Sequence, residues 1–198
     1  TIVYREYAEE YDDEPLATLK GERDFIMIDG PGTSGDWEAL EDAGISVDGK
    51  ILFCKRGELN FSDKAMNAAI AGGAALIIYN NVPLEGALGL ALDTYFFSNP
   101  CVSISLEDAQ AIQAGAKELD PIELEDEDGT AQLRVWTGKI GIADGVAAAM
   151  GSAPYQMSDF SSWGVAGSLE LKPEITAPGG NIYSVNGAVA GGTAYESM

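Results

Sequence analysis

Histidine is absent from the 198 residues. With it go the usual general base, the commonest metal ligand and the ordinary partner of a nucleophilic serine or cysteine. Any hydrolytic chemistry connected with this chain must therefore draw its base from elsewhere. Basic side chains are also scarce: 11 Lys and Arg face 32 Asp and Glu, for a formal net charge of -21. A surface of that sign repels phosphate, which excludes a nucleic-acid binder working by charge neutralisation. Long hydrophobic runs are missing too, since Ala74 to Tyr79 is far short of the roughly 20 apolar residues that span a bilayer. No basic stretch followed by an apolar one opens the chain, so no retained signal peptide is visible. The sequence reads as a soluble, excised segment with its neighbours missing on both sides.

What is present suffices for a core. The apolar fraction is 46% against 22% charged, so the acidity does not signal disorder. With 24 Gly and 8 Pro the chain is rich in turns. Residues 1 to 50 hold 14 Asp and Glu, including a run from Glu9 to Glu14, and a second run occupies Glu123 to Asp128. That second run lacks the alternating spacing of an EF-hand loop and reads as a solvated acidic turn. No cofactor or metal site is expected; calcium is compatible with the run without being indicated by it.

The elements follow from apolar patterning. Asp24 to Asp29 is a short strand closed by Gly30-Pro31-Gly32, and Trp37 to Ala43 has the length of two helical turns. Val47 to Lys50 is a turn leading into a core strand, Ile51 to Cys54. Ser62 caps a helix running to Ala71, with Ala65, Met66, Ala69 and Ile70 as its buried stripe and Gly72 or Gly73 as its stop. Ala74 to Tyr79 is a strand of the kind buried on both faces. Strand, helix, strand of this length is a crossover unit, whose default is a parallel pair covered by the helix. A third strand, Cys101 to Ile104, precedes a helix capped by Ser105, with Asp108 completing the box and Leu106, Ala109, Ile112 and Ala116 facing inward. Gln132 to Thr137 alternates as a strand. Cys54 and Cys101 both fall in core strands. Buried thiols and a disulfide both fit that placement, the latter only if the Cα atoms lie within roughly 7 Å.

Several stretches then carry a resemblance. Gly49-Lys50-Ile51-Leu52-Phe53-Cys54-Lys55-Arg56-Gly57, Phe61, Lys64, Asn67-Ala68, Ala71 to Ala74, Ile77 to Asn81 and Val102 to Ser105 with Asp108 together resemble a protease-associated (PA) domain. The resemblance implies an α/β fold, a mixed barrel-like sheet with peripheral helices, in a non-catalytic module attached to or inserted in a larger protein. Downstream, Gln156 to Gly164, Leu171 to Gly180 and Asn181 to Ser184 resemble the subtilisin-like catalytic domain just upstream of its nucleophile. Tyr195 to Met198 resembles the strand leading into that motif. The host so implied is a secreted subtilisin-like serine endopeptidase of the lactocepin-like cell-envelope type, extracellular or cell-wall attached. Its Ser, His and Asp would lie outside this chain, which is expected to be inactive alone. The implied organisation is a lead-in at 1–20, the PA domain at 21–140, a linker at 141–157 and an incomplete piece of the subtilisin α/β fold at 158–198.

The expected partners are a protein or peptide substrate and the missing parts of the same catalytic domain, with no nucleic acid and no membrane insertion. Ser161, Ser162 and Ser197 have no His and no serine-elbow pattern, so none is read as a nucleophile. The candidate contacts lie in the long loop from Pro83 to Asn99, which is crowded with Leu84, Leu88, Leu90, Leu92, Tyr95, Phe96 and Phe97. Leu90, Leu92 and Phe97 are expected to pack down, leaving Leu88 and Tyr95 near the tip for substrate or interdomain contact. The alternative is a PA module serving protein interaction or structural bracing without any protease function. Residues 156 to 198 argue against it, because a receptor has no reason to carry the Phe160 to Gly164 and Lys172 to Gly180 patterns in that order.

Overall fold

Continuous apolar runs are what a parallel strand needs when helices or loops cover both of its faces. In a computed structural model of the chain, Gly21–Ile28 (β2), Ile51–Lys55 (β3), Ala75–Tyr79 (β4) and Cys101–Ile104 (β5) pair in parallel in that order. The structure describes residues 2–143 other than 9, 12, 127 and 128, and beyond them the strands 164–165, 171–172, 183–185 and 195–197. Antiparallel strands flank the parallel centre: Arg5–Glu6 (β1) on β5, and Val135–Ile142 (β9) on β2 with Lys117–Glu118 (β6) outside it. The seven-stranded order is therefore β1-β5-β4-β3-β2-β9-β6. Ile122–Asp126 (β7) and Gly129–Leu133 (β8) form a separate hairpin. The chain divides into two units at residues 149 and 150. The second unit contains two antiparallel pairs, Gly164–Val165 with Leu171–Lys172 and Tyr183–Val185 with Tyr195–Ser197.

Period-two alternation sends the side chains of one strand to two cores. Leu52 and Cys54, with Leu76 and Ile78, face the helices Ser34–Asp42 (α1) and Phe61–Ile70 (α2) and the long loop. Ile51 and Phe53, with Ala75 and Ile77, face the helix Leu106–Gly115 (α3) and the 3-10 turn at Leu16–Leu19. This is the mixed α/β sheet with peripheral helices that the sequence implied. Cys54 lies level with Ile78, and Cys101 with Leu76, so all of β4 stands between them. Two strand spacings place their Cα atoms about 10 Å apart or more, beyond disulfide reach. Both are free, buried thiols, and desolvation pushes Cys54 up to about 12.

Local chemistry explains the helix ends. Ser105 caps α3 by accepting the Asp108 N–H at 3.0 Å, as its spacing predicts. In α1 the Thr33 hydroxyl accepts the Asp36 N–H at 3.0 Å while the Asp36 carboxylate accepts the N–H groups of Thr33 and Gly32. That reciprocal box starts the helix three residues earlier than the expected Trp37. Gly72 (φ +90°) ends the α2 turn, and Gly73 sits where an added Cβ would come within 2.6 Å of Leu52 Cδ1. Packing therefore keeps position 73 without a side chain.

Three expectations are corrected. Helix α2 begins at Phe61 after Asn60, and Ser62 is not its cap; the buried Ser62 hydroxyl donates to the Ala91 carbonyl at 3.3 Å. Its buried face is Ser62, Lys64, Ala65 and Ala68, whereas Ile70 is 72% exposed and Met66 and Ala69 are only partly buried. Of the expected stripe only Ala65 is fully buried, because Lys64 takes the inner face to reach carbonyls at the strand exits. Gln132 to Thr137 is not one strand: it breaks at Arg134, between β8 and β9, so Val135 and Trp136 are both buried instead of alternating.

The lead-in is strapped to the sheet by two carboxyls. Glu6 accepts the Leu16 N–H at 2.5 Å, and the buried Asp13 accepts the Cys101 N–H at 3.2 Å while its Oδ1 has no partner. Burial raises both above their ordinary 4.5 and 3.8, partly opposed by those hydrogen bonds. A raised acid gives its full stabilisation below the unfolded-state value and loses it as pH climbs through the folded-state value. Tyr95, Cys101 and Glu6 are the titratable neighbours of Asp13. Asp13→Asn keeps the acceptor and removes the buried charge. Thermal unfolding should find the variant close to the parent near pH 4 and more stable at pH 7; a gap that does not widen with pH would contradict the assignment.

Removing Ile70 beyond Cβ should cost under about 0.5 kcal/mol, since an exposed side chain buries little. Ile78→Ala, in a fully buried strand, should cost about 2–5 kcal/mol. Urea midpoints of the two variants check the helix orientation directly.

Candidate functional site

In open α/β sheets the loops at the carboxyl ends of the parallel strands are the ones free to bind. Here these are residues 29–33 after β2, 56–60 after β3 and the segment that follows Asn80 after β4. Lys64, on α2, is wholly buried and reaches toward two of them: its ammonium donates to the Pro31 carbonyl and, at 3.0 Å, to that of Lys55. Asn67, one turn on, donates to the Gly32 carbonyl at 3.1 Å. Desolvation pulls the Lys64 ammonium below its ordinary value, against the opposing fields of Cys54, Glu58 and Asp36. Two of its three donors go to main-chain carbonyls, so the group organises the loops. Lys64 and Asn67 belong to the pattern that carried the family resemblance, and this is what they do there.

Asn80 performs the same service for the next loop. Fully buried, it donates to the Gly86 carbonyl at 2.9 Å and to Glu85 at 3.1 Å, and its Oδ1 accepts from the N–H of Asn81 and Val82. Arg56 joins it, donating to Asn80 Oδ1 at 3.2 Å and pairing with Glu85 at 2.8 Å. Leu84, at the turn these bonds enclose, has φ +63° and donates its N–H to Glu107 on α3 at 2.9 Å. Hydrogen bonds hold the carboxyls of Glu85 and Glu107 below the usual range, Asn80 contributing first at Glu85 and the Leu84 N–H at Glu107.

The rest of the loop does not stand as the sequence suggested. Leu90 and Leu92 pack down as expected, and Phe97 is partly buried against the same core. Leu88 and Tyr95, however, are buried as well, at 8% and 5% exposure. The Leu88 carbonyl accepts from Ser103, and the Tyr95 hydroxyl donates to the Asn99 carbonyl, so both residues are drawn under the loop. The exposed apolar side chains are Leu84 at 92% and Phe96 at 72%, the latter stacked on Phe97 with centroids 4.9 Å apart. No sequence signal separated Leu84 from Leu88; only the path of the loop does.

The opposite core opens into a cleft of about 690 Å³. Tyr4, Leu16, Phe53, Ile77, Ile104 and Ile140 are among its lining residues. Residues 2–6 of the lead-in and 140–143, at the end of β9, both border it. Among the described residues no group of three or more Cys, Asp or Glu is placed to hold a metal ion. The patterns at 156–163 and 173–182, and the side chains of Ser161, Ser162 and Ser197, lie outside the described residues.

A mixed sheet that presents clamped loops at one end and an apolar cleft on one face defines an α/β module. The chain belongs to the PA domain family, whose model matches residues 10–112. It is 37% identical over 160 residues to the PII-type proteinase of Lacticaseibacillus paracasei, covering 76% of this chain and 7% of that protein. It is 33% identical over 152 residues to the minor extracellular protease Vpr of Bacillus subtilis, covering 76% and 16%. A 42% identical match of 80 residues to the probable leucine aminopeptidase 2 of Aspergillus oryzae covers 37% and 16%. The chain thus spans less than a fifth of these relatives. The resemblance to the PA domains of cell-envelope and related subtilisin-family proteinases holds.

Lys64→Met retains the aliphatic stem and leaves two buried carbonyls without a donor. The substitution should destabilise the domain by about 2 kcal/mol or more, read as a lower denaturation midpoint. A midpoint equal to the parent's would show that the ammonium is not what joins these loops.

Proposed function

We propose that this chain is the non-catalytic PA domain of a secreted or cell-wall attached subtilisin-like serine endopeptidase, where it shapes access to the substrate cleft or recognises the protein substrate. The observation that carries the reading is the extent of the matches. The aminopeptidase match covers 37% of the chain, a stretch that fits within one PA domain. The proteinase matches cover 76%, well beyond the 10–112 range of the family model. The longer shared stretch supports a proteinase host over an aminopeptidase one. We assign the PA domain to 21–140, a linker to 141–157 and a piece of the catalytic domain to 158–198.

The two ends of 21–140 lie on paired strands, with Gly21 level with Ile142, which suits a module inserted within a host, because such a module must leave its host's backbone nearly where it found it. In the intact enzyme the triad and oxyanion hole supply the acyl transfer. The module contributes remote contacts, which only a long substrate can use. Leu88 and Tyr95 serve that role indirectly, by fixing the loop from beneath, and the exposed Leu84 and Phe96 are the contact residues.

A fluorophosphonate probe tests the assignment. The chain alone should remain unlabelled and release no peptides from unfolded casein, while the longer protein that contains it should be labelled at one serine. Labelling of the isolated chain, or none of the longer protein, would overturn the reading.

A further inference from the structure

Leucine at φ +63° occupies a backbone region that asparagine or glycine fills with far less strain. Leu84 gains nothing from burial in exchange, since it is 92% exposed. The strain is held by a purpose-built frame: Glu107 takes the Leu84 N–H, Asn80 grips Asn81, Val82 and Gly86, and Glu85 is tied to Arg56 and Asn80. A rigid apolar tip that the fold does not require is the form of a binding anchor, pre-set so that little conformational freedom is lost on contact. The carboxylates of Glu85, itself paired with Arg56, and of Glu107, which accepts only a neutral N–H from the tip, flank Leu84 on a chain of net charge -21. A partner carrying positive charge beside its apolar groups is the one that fits such a rim.

We propose that the Leu84 tip, framed by Glu85 and Glu107, is the docking point for extended segments of protein substrates in which a large apolar side chain lies next to Lys or Arg. The assignment rests on the substrate-recognition reading above and names its chemistry. The apolar residue packs against Leu84, and the cation pairs with the rim, giving an affinity that falls as salt screens the carboxylates.

The test titrates the full chain with reduced, carbamidomethylated lysozyme, an unfolded cationic polypeptide, and with the same polypeptide succinylated to reverse its charge. The cationic form should bind, and more weakly as NaCl rises from about 20 to about 300 mM; the succinylated form should bind at least about tenfold more weakly. Leu84→Gly should raise the dissociation constant about fivefold or more while leaving the unfolding temperature equal or higher, because glycine relieves the φ strain. Glu107→Gln, which keeps the acceptor for Leu84, should flatten the salt dependence. Leu84→Gly binding as tightly as the parent overturns the proposal. Equal binding of both polypeptides overturns it too but leaves the substrate-recognition reading standing, and failure of the parent to bind either one removes both.

Discussion

One buried ammonium group fixes the end of the sheet from which the exposed loops spring. Lys64 leaves α2 on its inner face and donates to the carbonyls of Pro31 and Lys55, at the exits of β2 and β3. A lysine wholly out of water is costly unless its donors are used. Here the cost is offset by hydrogen bonds to the main-chain carbonyls of Pro31 and Lys55. Asn67 and Ser62 extend the same seam to Gly32 and Ala91, so the helix, both strand exits and the long loop are joined by polar contacts from one helix face. Asn80 repeats the device one strand further on. The loops are consequently set before any partner arrives.

That rigidity divides the labour within the long loop. Leu88, Leu90, Leu92 and Tyr95 fill the core beneath it and give it a foundation. Leu84 and Phe96 are left outside on turns that the foundation holds in place. On the other face lies an apolar cleft bordered by residues 2–6 and 140–143. Such an architecture presents two different surfaces, a held loop on one face and an apolar cleft on the other.

How much of this was legible depended on which force decided each element. Ile51 to Cys54 and Ala75 to Tyr79 were plain because double burial demands unbroken apolar runs, and α3 was plain because Ser105 and Asp108 form a local cap. The face of α2 was misread because periodicity treats lysine as a surface residue, whereas Lys64 is held inside by distant carbonyls that no local window contains. The Thr33 box was missed for a related reason: Asp36 looked like one more surface acid in an acidic stretch. The break at Arg134 follows from a change of strand partner, which alternation alone does not record. In the Pro83 to Asn99 loop, composition correctly announced a buried foundation and an exposed tip. It assigned Leu88 and Tyr95 to the tip because burial there is set by hydrogen bonds from Ser103 and to Asn99. The character of 156–198 came from resemblance to a family pattern alone.

The proposal that the module adds recognition of long substrates to a protease is tested most directly on the longer protein that contains it. In the intact protease, residues 82–86 would be replaced by a Gly-Ser linker of equal length, and kcat/KM measured for an unfolded protein and for a short chromogenic peptide on the same preparation. The account predicts a lower value for the protein, through KM, and an unchanged value for the peptide. Unchanged values for both substrates, with the unfolding temperature preserved, would contradict it.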